Sequence, residues 1–302
     1  MGTLVQFTIS GVDQDKAMAA IRAASDEMQR IDDEFTIYGT HPNAVKAFNA
    51  STPGQVVHLP PGVDKLLLTS LQIWRQSKGA FDPSLGSLDL LWGFSEPKPP
   101  VAPPAPAAIS KALAGVSPDM LVRSDAGWKR LNAQTKLDFG GIAKGYAIDR
   151  GIAVLRAHGI RNAILDAGGD LRAIGDHHGK PWRIGLRHPR RHGDTLGWFA
   201  ARGDVSIVTS GDYERFFFYK GKRYHHILVP QTGMPAEKSM SVTVVANNAT
   251  LADGWSTALF VLGPAGLPLV DAHGMQAVLV DAKGAIHTTK RSILTFHPTP
   301  PR

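Results

Sequence analysis

Strand-type and helix-type segments follow one another in this chain without a regular strand-helix-strand alternation, and that order restricts the fold more than any single motif does. The stretch "TLVQFTIS" (3–10) alternates as a strand does, and "DKAMAAIRAASDEMQRID" (15–32) spaces Ala, Ile and Met as a helix does. A second helix is predicted over "DKLLLTSLQIWRQS" (64–77), and "LDFGGIAKGYAIDR" (137–150) reads as strand, turn and helix. A β-rich run follows: "NAILDAGGDLRAIG", "WRIGLRH" and "DVSIVTSGDYERFFFYKGKRYHHILV", the last with a hairpin turn at "KGK" (220–222). The strand "SMSVTVVA" (239–246), the helix "TLADGWSTALFVLG" (250–263) and a hairpin over 275–289 with Gly284 near its turn close the chain. The pattern favours an α+β fold of mixed strands and helices over a doubly wound sheet. "SEPKPPVAPPAPAA" (95–108) holds six prolines and is predicted to be an exposed, extended excursion or linker, because proline fixes φ and removes a donor.

Composition narrows the function classes. The 302 residues are 43% hydrophobic, enough for a substantial core, and contain no cysteine, which excludes disulfides, thiolate metal sites and cysteine lipidation. The formal charge of +7 is spread along the chain except at "RHPRRH" (187–192), which reads as a solvated loop or a site for an acidic partner or lipid headgroup; nucleic acid is not expected. No segment reads as a membrane span of about 20 apolar residues, and the first residues lack a basic-then-apolar signal pattern.

Three stretches carry more polar punctuation than folding requires. In the first, Gly140 and Gly141 let backbone approach something closely, and Lys144, just inside a helix N-terminus, suggests that the something is anionic. Neither G-x-G-x-x-G nor G-K-[ST] is present. In the second, Asp253 and Thr257 lie four residues apart on one helix face, so a carboxylate and a hydroxyl oxygen can converge on a hard cation; equally, Asp253 can be a first-turn residue favoured by the helix dipole. In the third, "RYHHILVPQTG", His225 and His226 are strand neighbours and must point to opposite faces, so one of them at most faces a given site, where it could act as a general base. The pair Gly168 and Gly169 reads as a tight turn between strands.

Together these stretches resemble the FAD:protein FMN transferases, the ApbE-type flavin transferases. The likeness is colinear through "MGT" (1–3), "SKGAFDPSLGSLDLLWGF" (77–94), "DFGGIAKGYAID", "DAGGDLRAIG", "SGDYERFFFYKGKRYHHILVPQTG", "SVTVVA" and "ADGWSTALF". The resemblance implies a single-domain α+β fold over 1–302 that takes FAD as substrate and Mg²⁺ as cofactor, and transfers FMN to a Ser or Thr hydroxyl of an acceptor protein, such as a subunit of a redox complex or a reductase, with release of AMP. It implies that Asp253, Thr257 and the Gly141 carbonyl hold the metal. It implies that Met1, Tyr38, Ala80, Phe81, Asp82, Asp138, Lys144, His226 and Ile227 contact FAD, with His226 as the base. FAD hydrolysis to FMN and AMP, or flavin binding without catalysis, are the alternatives at the same site. Val229 stands where the family motif H-I-x-D-P has Asp. The family is usually periplasmic or membrane-anchored through an N-terminal leader; the chain as written begins at the Met of "MGT" and reads as cytoplasmic or already processed.

Overall fold

The computed structural model describes residues 3–98 and 100–299. In chain order the strands are β1 (Val5–Ser10), β2 (Leu121–Ser124), β3 (Gly127–Arg130), β4 (Asn162–Ala167), β5 (Asp170–Ile174), β6 (Trp182–Arg187) and β7 (Thr195–Ala201). They continue with β8 (Val205–Gly211), β9 (Phe216–Tyr219), β10 (Lys222–His225), β11 (Ser239–Ala246), β12 (Gln276–Asp281), β13 (Ile286–Thr288) and β14 (Phe296–Pro298). The helices are α1 (Gln14–Phe35), α2 (Ala44–Ala50), α3 (Pro61–Gln76), α4 (Gly86–Trp92), α5 (Pro106–Leu113), α6 (Ala143–Ala157), α7 (Ala249–Leu262) and α8 (Leu267–Ala272).

Seven strands form one sheet in the order β1-β4-β5-β8-β11-β12-β13, antiparallel at every pairing. The fold is α+β, as the segment order requires. Period-two alternation sorts the sheet's side chains into two cores. Val242, Val244 and Ala246 of β11 face the helices, whereas Val245 faces a second sheet of order β14-β7-β6 and packs with Trp182, Ile184 and Phe199. On the helical side α1 buries Ala20, Ala24, Met28, Ile31 and Phe35, a helical stripe started by Asp13, whose side chain accepts the Lys16 N–H at 2.8 Å. α7 packs against α6 on one side and against β8 and β11 on the other, so nearly its whole surface is buried. A third, smaller core joins α4, α5 and the β9–β10 hairpin through Leu88, Trp92, Ile109, Phe217 and Leu228.

Four sequence expectations need correction. Residues 137–139 are not a strand. The Asn49 side chain takes the place of a neighbouring strand, donating to Leu137 O (2.8 Å) and accepting from Leu137 N (2.7 Å), while Asp138 N–H turns to Pro83 O. The Pro-rich stretch is not extended throughout: Pro106 opens α5, at the first helical turn where a missing N–H costs nothing. The "RHPRRH" segment is not simply solvated, because Arg190 makes two 2.6 Å bonds to the buried Asp212 carboxylate. One run, Ala249–Ala272, does reach membrane-span length, with a mean hydropathy of 1.2 over an 18-residue window that is half buried in the core, and a 3₁₀ turn at Gly263–Gly266 divides it.

Candidate active site

The site begins where α6 meets α7. A Cβ on Gly145 would lie 2.2 Å from Ala249 O and 2.8 Å from Asp253 Cβ, so only glycine lets these helices touch at this point. The contact brings Gly145 N–H to Asp253 Oδ2 at 2.8 Å, which satisfies one of the free donors at the α6 N-terminus. One turn further along α7, Thr257 Oγ1 lies 3.4 Å from the carbonyl oxygen of Gly141 and donates to it. Gly141 also has no room to spare: a Cβ there would stand 3.1 Å from Thr257 Oγ1. The spacing of Asp253 and Thr257 on one face therefore does bring a carboxylate, a hydroxyl and a carbonyl together. Gly140 and Gly141 serve close approach and do not adopt the left-handed backbone, which the β4–β5 turn does use at Gly168 (φ 68°) and Gly169 (φ 95°).

Charge in this region is dense. Lys144 Nζ pairs with Asp170 Oδ2, and Asp170 Oδ1 accepts the Thr209 N–H at 2.7 Å. Burial works against the Lys144 ammonium, but the Asp170 and Asp253 carboxylates outweigh it and hold its pKa above the ordinary lysine value. Burial, reinforced by Asp170, pushes the Asp253 carboxyl well up from the usual carboxylate range.

These groups open into a cavity of about 630 Å³, a size that encloses a small-molecule ligand. Tyr38, Ala80, Phe81, Asp82, Asp138, Gly141, Lys144, His226, Ile227, Asp253 and Thr257 all line it. Met1 lies outside the described residues. Burial, helped by Asp138 and Asp89, keeps the Tyr38 phenol protonated. Asp82 reaches the wall, yet its Oδ1 is taken by Ser84 N–H (2.7 Å) and Ser84 O–H (2.5 Å), and burial lifts its pKa to about 6. Asp138 Oδ1 accepts the Gly140 N–H at 2.6 Å, and burial raises its pKa.

The two histidines separate as strand neighbours should. His225 is 4% exposed; its Nδ1 accepts the Ile227 N–H (3.3 Å), so Nε2 carries the proton and donates to Ala236 O (2.7 Å), while its ring packs edge-on to Phe260. His226, the residue after β10, lines the cavity, and its Nδ1 is buried without a hydrogen-bond partner among the described residues. Burial pushes its pKa down to about 3, with His225 and Arg215 adding to the shift. Burial therefore favours the neutral ring, against a hydrogen bond to the Arg215 backbone that favours the charged one.

Sequence reasoning missed several cavity residues. Asp170 was visible in "DAGGDL" only as the end of a turn, and Arg215 only as part of a β-rich run. Arg215 Nη1 donates to Ser95 Oγ at 2.6 Å, which ties the start of the Pro-rich segment to the cavity edge. Phe94 and Ser95 line the wall, so the excursion is part of the site at its first residues. Asp89, also on the wall, has its pKa raised well above the usual range by burial and by Asp138 and Asp82. Val229 stays out of the lining; its N–H donates to Met234 O (2.8 Å) in the turn that follows.

The sequence model described as "ApbE family" matches residues 1–279. An FAD:protein FMN transferase of Rhodobacter capsulatus is 35% identical over 293 residues, covering 95% of this chain and 55% of the relative. One from Klebsiella pneumoniae is 33% identical over 270 residues, covering 87% of this chain and 77% of the relative. The chain thus spans little more than half the length of the Rhodobacter relative. The crystal structure of the ApbE protein from Thermotoga maritima superposes with a TM-score of 0.87 at 34% identity, over 96% of this chain and 94% of that one. The flavinyl transferase ApbE of Pseudomonas stutzeri, in its apo form, gives 0.80 at 32% identity over 95% and 90%.

Proposed function

The chain belongs to the ApbE family, and we propose that it transfers FMN from FAD to a Ser or Thr hydroxyl of an acceptor flavoprotein, releasing AMP. One observation carries this reading: the oxygen set of Asp253, Thr257 and Gly141 shares a cavity with the His226 imidazole. The activity named for the Rhodobacter and Klebsiella relatives supports it.

The donor set fits Mg²⁺. All three ligands are hard oxygens, and no hydrogen bond to Asp253 Oδ1 is present among the described residues. The lining is acid-rich as well: Asp32, Asp82, Asp89, Asp138, Asp170, Glu214 and Asp253 stand with Lys144 and Arg215, and burial raises the pKa of Asp82, Asp89, Asp138 and Asp253, a cost of ionisation that a bound cation would relieve. A pyrophosphate dianion entering such a wall needs added positive charge. Mg²⁺ bound there would neutralise the pyrophosphate and draw electrons from its phosphorus.

The protein's own residues do the rest. Asp170 fixes Lys144 beside the Gly141 turn, where its ammonium meets phosphate oxygens. The acceptor oxygen attacks the phosphorus of the FMN half; the bond from that phosphorus to the bridging oxygen breaks, and its electron pair leaves on AMP. His226 takes the proton of the acceptor hydroxyl. In the free site its basicity is low because burial penalises the imidazolium; the arriving pyrophosphate anion favours the charged ring and raises its pKa toward a useful value.

Incubating the full chain with FAD, Mg²⁺ and a peptide bearing a Ser/Thr-Gly-Ala-Thr segment tests the proposal. AMP should appear mole for mole with FMN-modified peptide. Free FMN and AMP with unmodified peptide would make the protein an FAD hydrolase, and intact FAD would make it a flavin-binding protein.

A further inference from the structure

The β9–β10 hairpin, residues 216–225, springs from the cavity wall on both sides. Glu214 and Arg215 before β9, and His226 after β10, are cavity-lining residues. Its inward face is fixed. Phe217 is buried and stacks on Tyr224 at 5.3 Å and on Phe94 at 5.6 Å, and Trp92 stacks in turn on Phe94 and Tyr224. The outward face is unlike an ordinary solvated strand. Phe216 is 38% exposed and Phe218 59%, their rings meet edge-on at 5.7 Å, and the Arg223 guanidinium sits over both at 4.1 and 5.1 Å. The segment 214–226 carries Arg215, Lys220, Lys222 and Arg223 against the single acid Glu214; Lys222 lies over Tyr224 on the inward side and pairs with Glu237, and Glu214 pairs with Arg187, which leaves Arg223 and Lys220 as the outward cations. Among the described residues the ribbon pairs with no third strand.

An exposed aromatic pair on a rigid, cationic projection marks a docking surface. The reaction proposed above supplies a partner that must come to this place, since the acceptor hydroxyl has to reach His226, one residue beyond β10. Resting on that reading, we propose that the outer face of the hairpin is the acceptor dock: it takes an extended segment of the acceptor protein that flanks the reactive Ser or Thr. Phe216 and Phe218 cover an apolar side chain of that segment, and Arg223, with Lys220 at the turn, meets carboxylates beside it. The acid-rich cavity and the basic hairpin then divide the work, with metal-bound pyrophosphate held inside and an acidic peptide drawn to the rim.

The test compares wild type with Phe216→Ser/Phe218→Ser and with Arg223→Glu, using two synthetic peptides that share the Ser/Thr-Gly-Ala-Thr segment and differ only in acidic or neutral flanks. Circular dichroism and FAD affinity verify that each variant is folded with an intact cavity. Wild type should favour the acidic-flanked peptide, and each variant should raise KM for it by about tenfold, as loss of an interfacial anchor does, with FAD affinity and kcat unchanged. An unchanged KM in both folded variants overturns the dock. If vesicles containing anionic lipid bind wild type but not the double variant while peptide KM stays constant, the face belongs to a lipid surface and the proposal fails. If wild type modifies neither peptide yet cleaves FAD to FMN and AMP, the transfer reading itself fails and takes the dock with it.

Discussion

The two walls of the cavity are built in opposite ways. On one side, the α6–α7 crossing sets Asp253 and Thr257 on a single buried helix, locked by a glycine whose Cβ would stand 2.2 Å from Ala249 O. On the other, His226, Arg215 and Ser95 come from a hairpin and a loop joined by the Phe94–Phe217–Tyr224 stack and by the bond from Arg215 to Ser95, with Phe216 and Phe218 facing solvent. The buried wall suits a group whose position must not vary, a metal with its pyrophosphate. The hairpin wall suits a group that must meet an arriving protein. On the proposed function, binding and proton transfer fall to different walls, and substitutions should separate them.

The largest effect is expected at His226. His226→Ala should lower FMN transfer by about 10²–10⁴, the range for a positioned base, with FAD affinity changed far less; stopped-flow transfer and flavin fluorescence titration check this. Asp253→Asn keeps an acceptor for Gly145 N–H but removes the charge, and should lower transfer by about 10²–10³. Its stability should move the other way. The folded-state pKa of Asp253 lies above its unfolded value, so its ionisation costs stability as pH rises above the ordinary carboxylate range. Without Mg²⁺ at neutral pH, Asp253→Asn should therefore melt higher than wild type, and the gain should vanish below the ordinary carboxylate pKa. Thr257→Val removes one neutral ligand and should cost about tenfold in transfer. The smallest kinetic effect belongs to His225: His225→Ala loses its bonds to Ala236 and Ile227 and should destabilise by about 1–3 kcal/mol in thermal unfolding, while folded enzyme turns over normally.

The same contrast explains what could be read from the sequence. The α6–α7 wall was legible because its pairing is local: Asp253 and Thr257 share a helix face by spacing alone, and β11 and α7 fall close to the segments their periodicity marks. The register of His225 and His226 was legible for the same reason, since neighbours on a strand must diverge. The missing parts depend on distant partners. The sequence does not show that β5 brings Asp170 against Lys144, and Leu137 reads as strand until Asn49, 88 residues away, takes both of its backbone groups. Helices α2 and α4, of seven residues each, are too short to show a period. Pro106 counted as a breaker, yet at a first helical turn proline starts a helix. Arg215, Phe94 and Ser95 meet only because the Pro-rich segment folds back on the hairpin root.

If the α6–α7 wall holds Mg²⁺ and pyrophosphate while the hairpin wall handles the proton, Mg²⁺ must act on FAD binding through Asp253 and not through His226. Titrating FAD into wild type, Asp253→Asn and His226→Ala, each with and without Mg²⁺, tests it most directly. Mg²⁺ should strengthen FAD binding in wild type and in His226→Ala, and should leave Asp253→Asn unaffected. Loss of the Mg²⁺ effect in His226→Ala, or its full retention in Asp253→Asn, would contradict the assignment of the two walls.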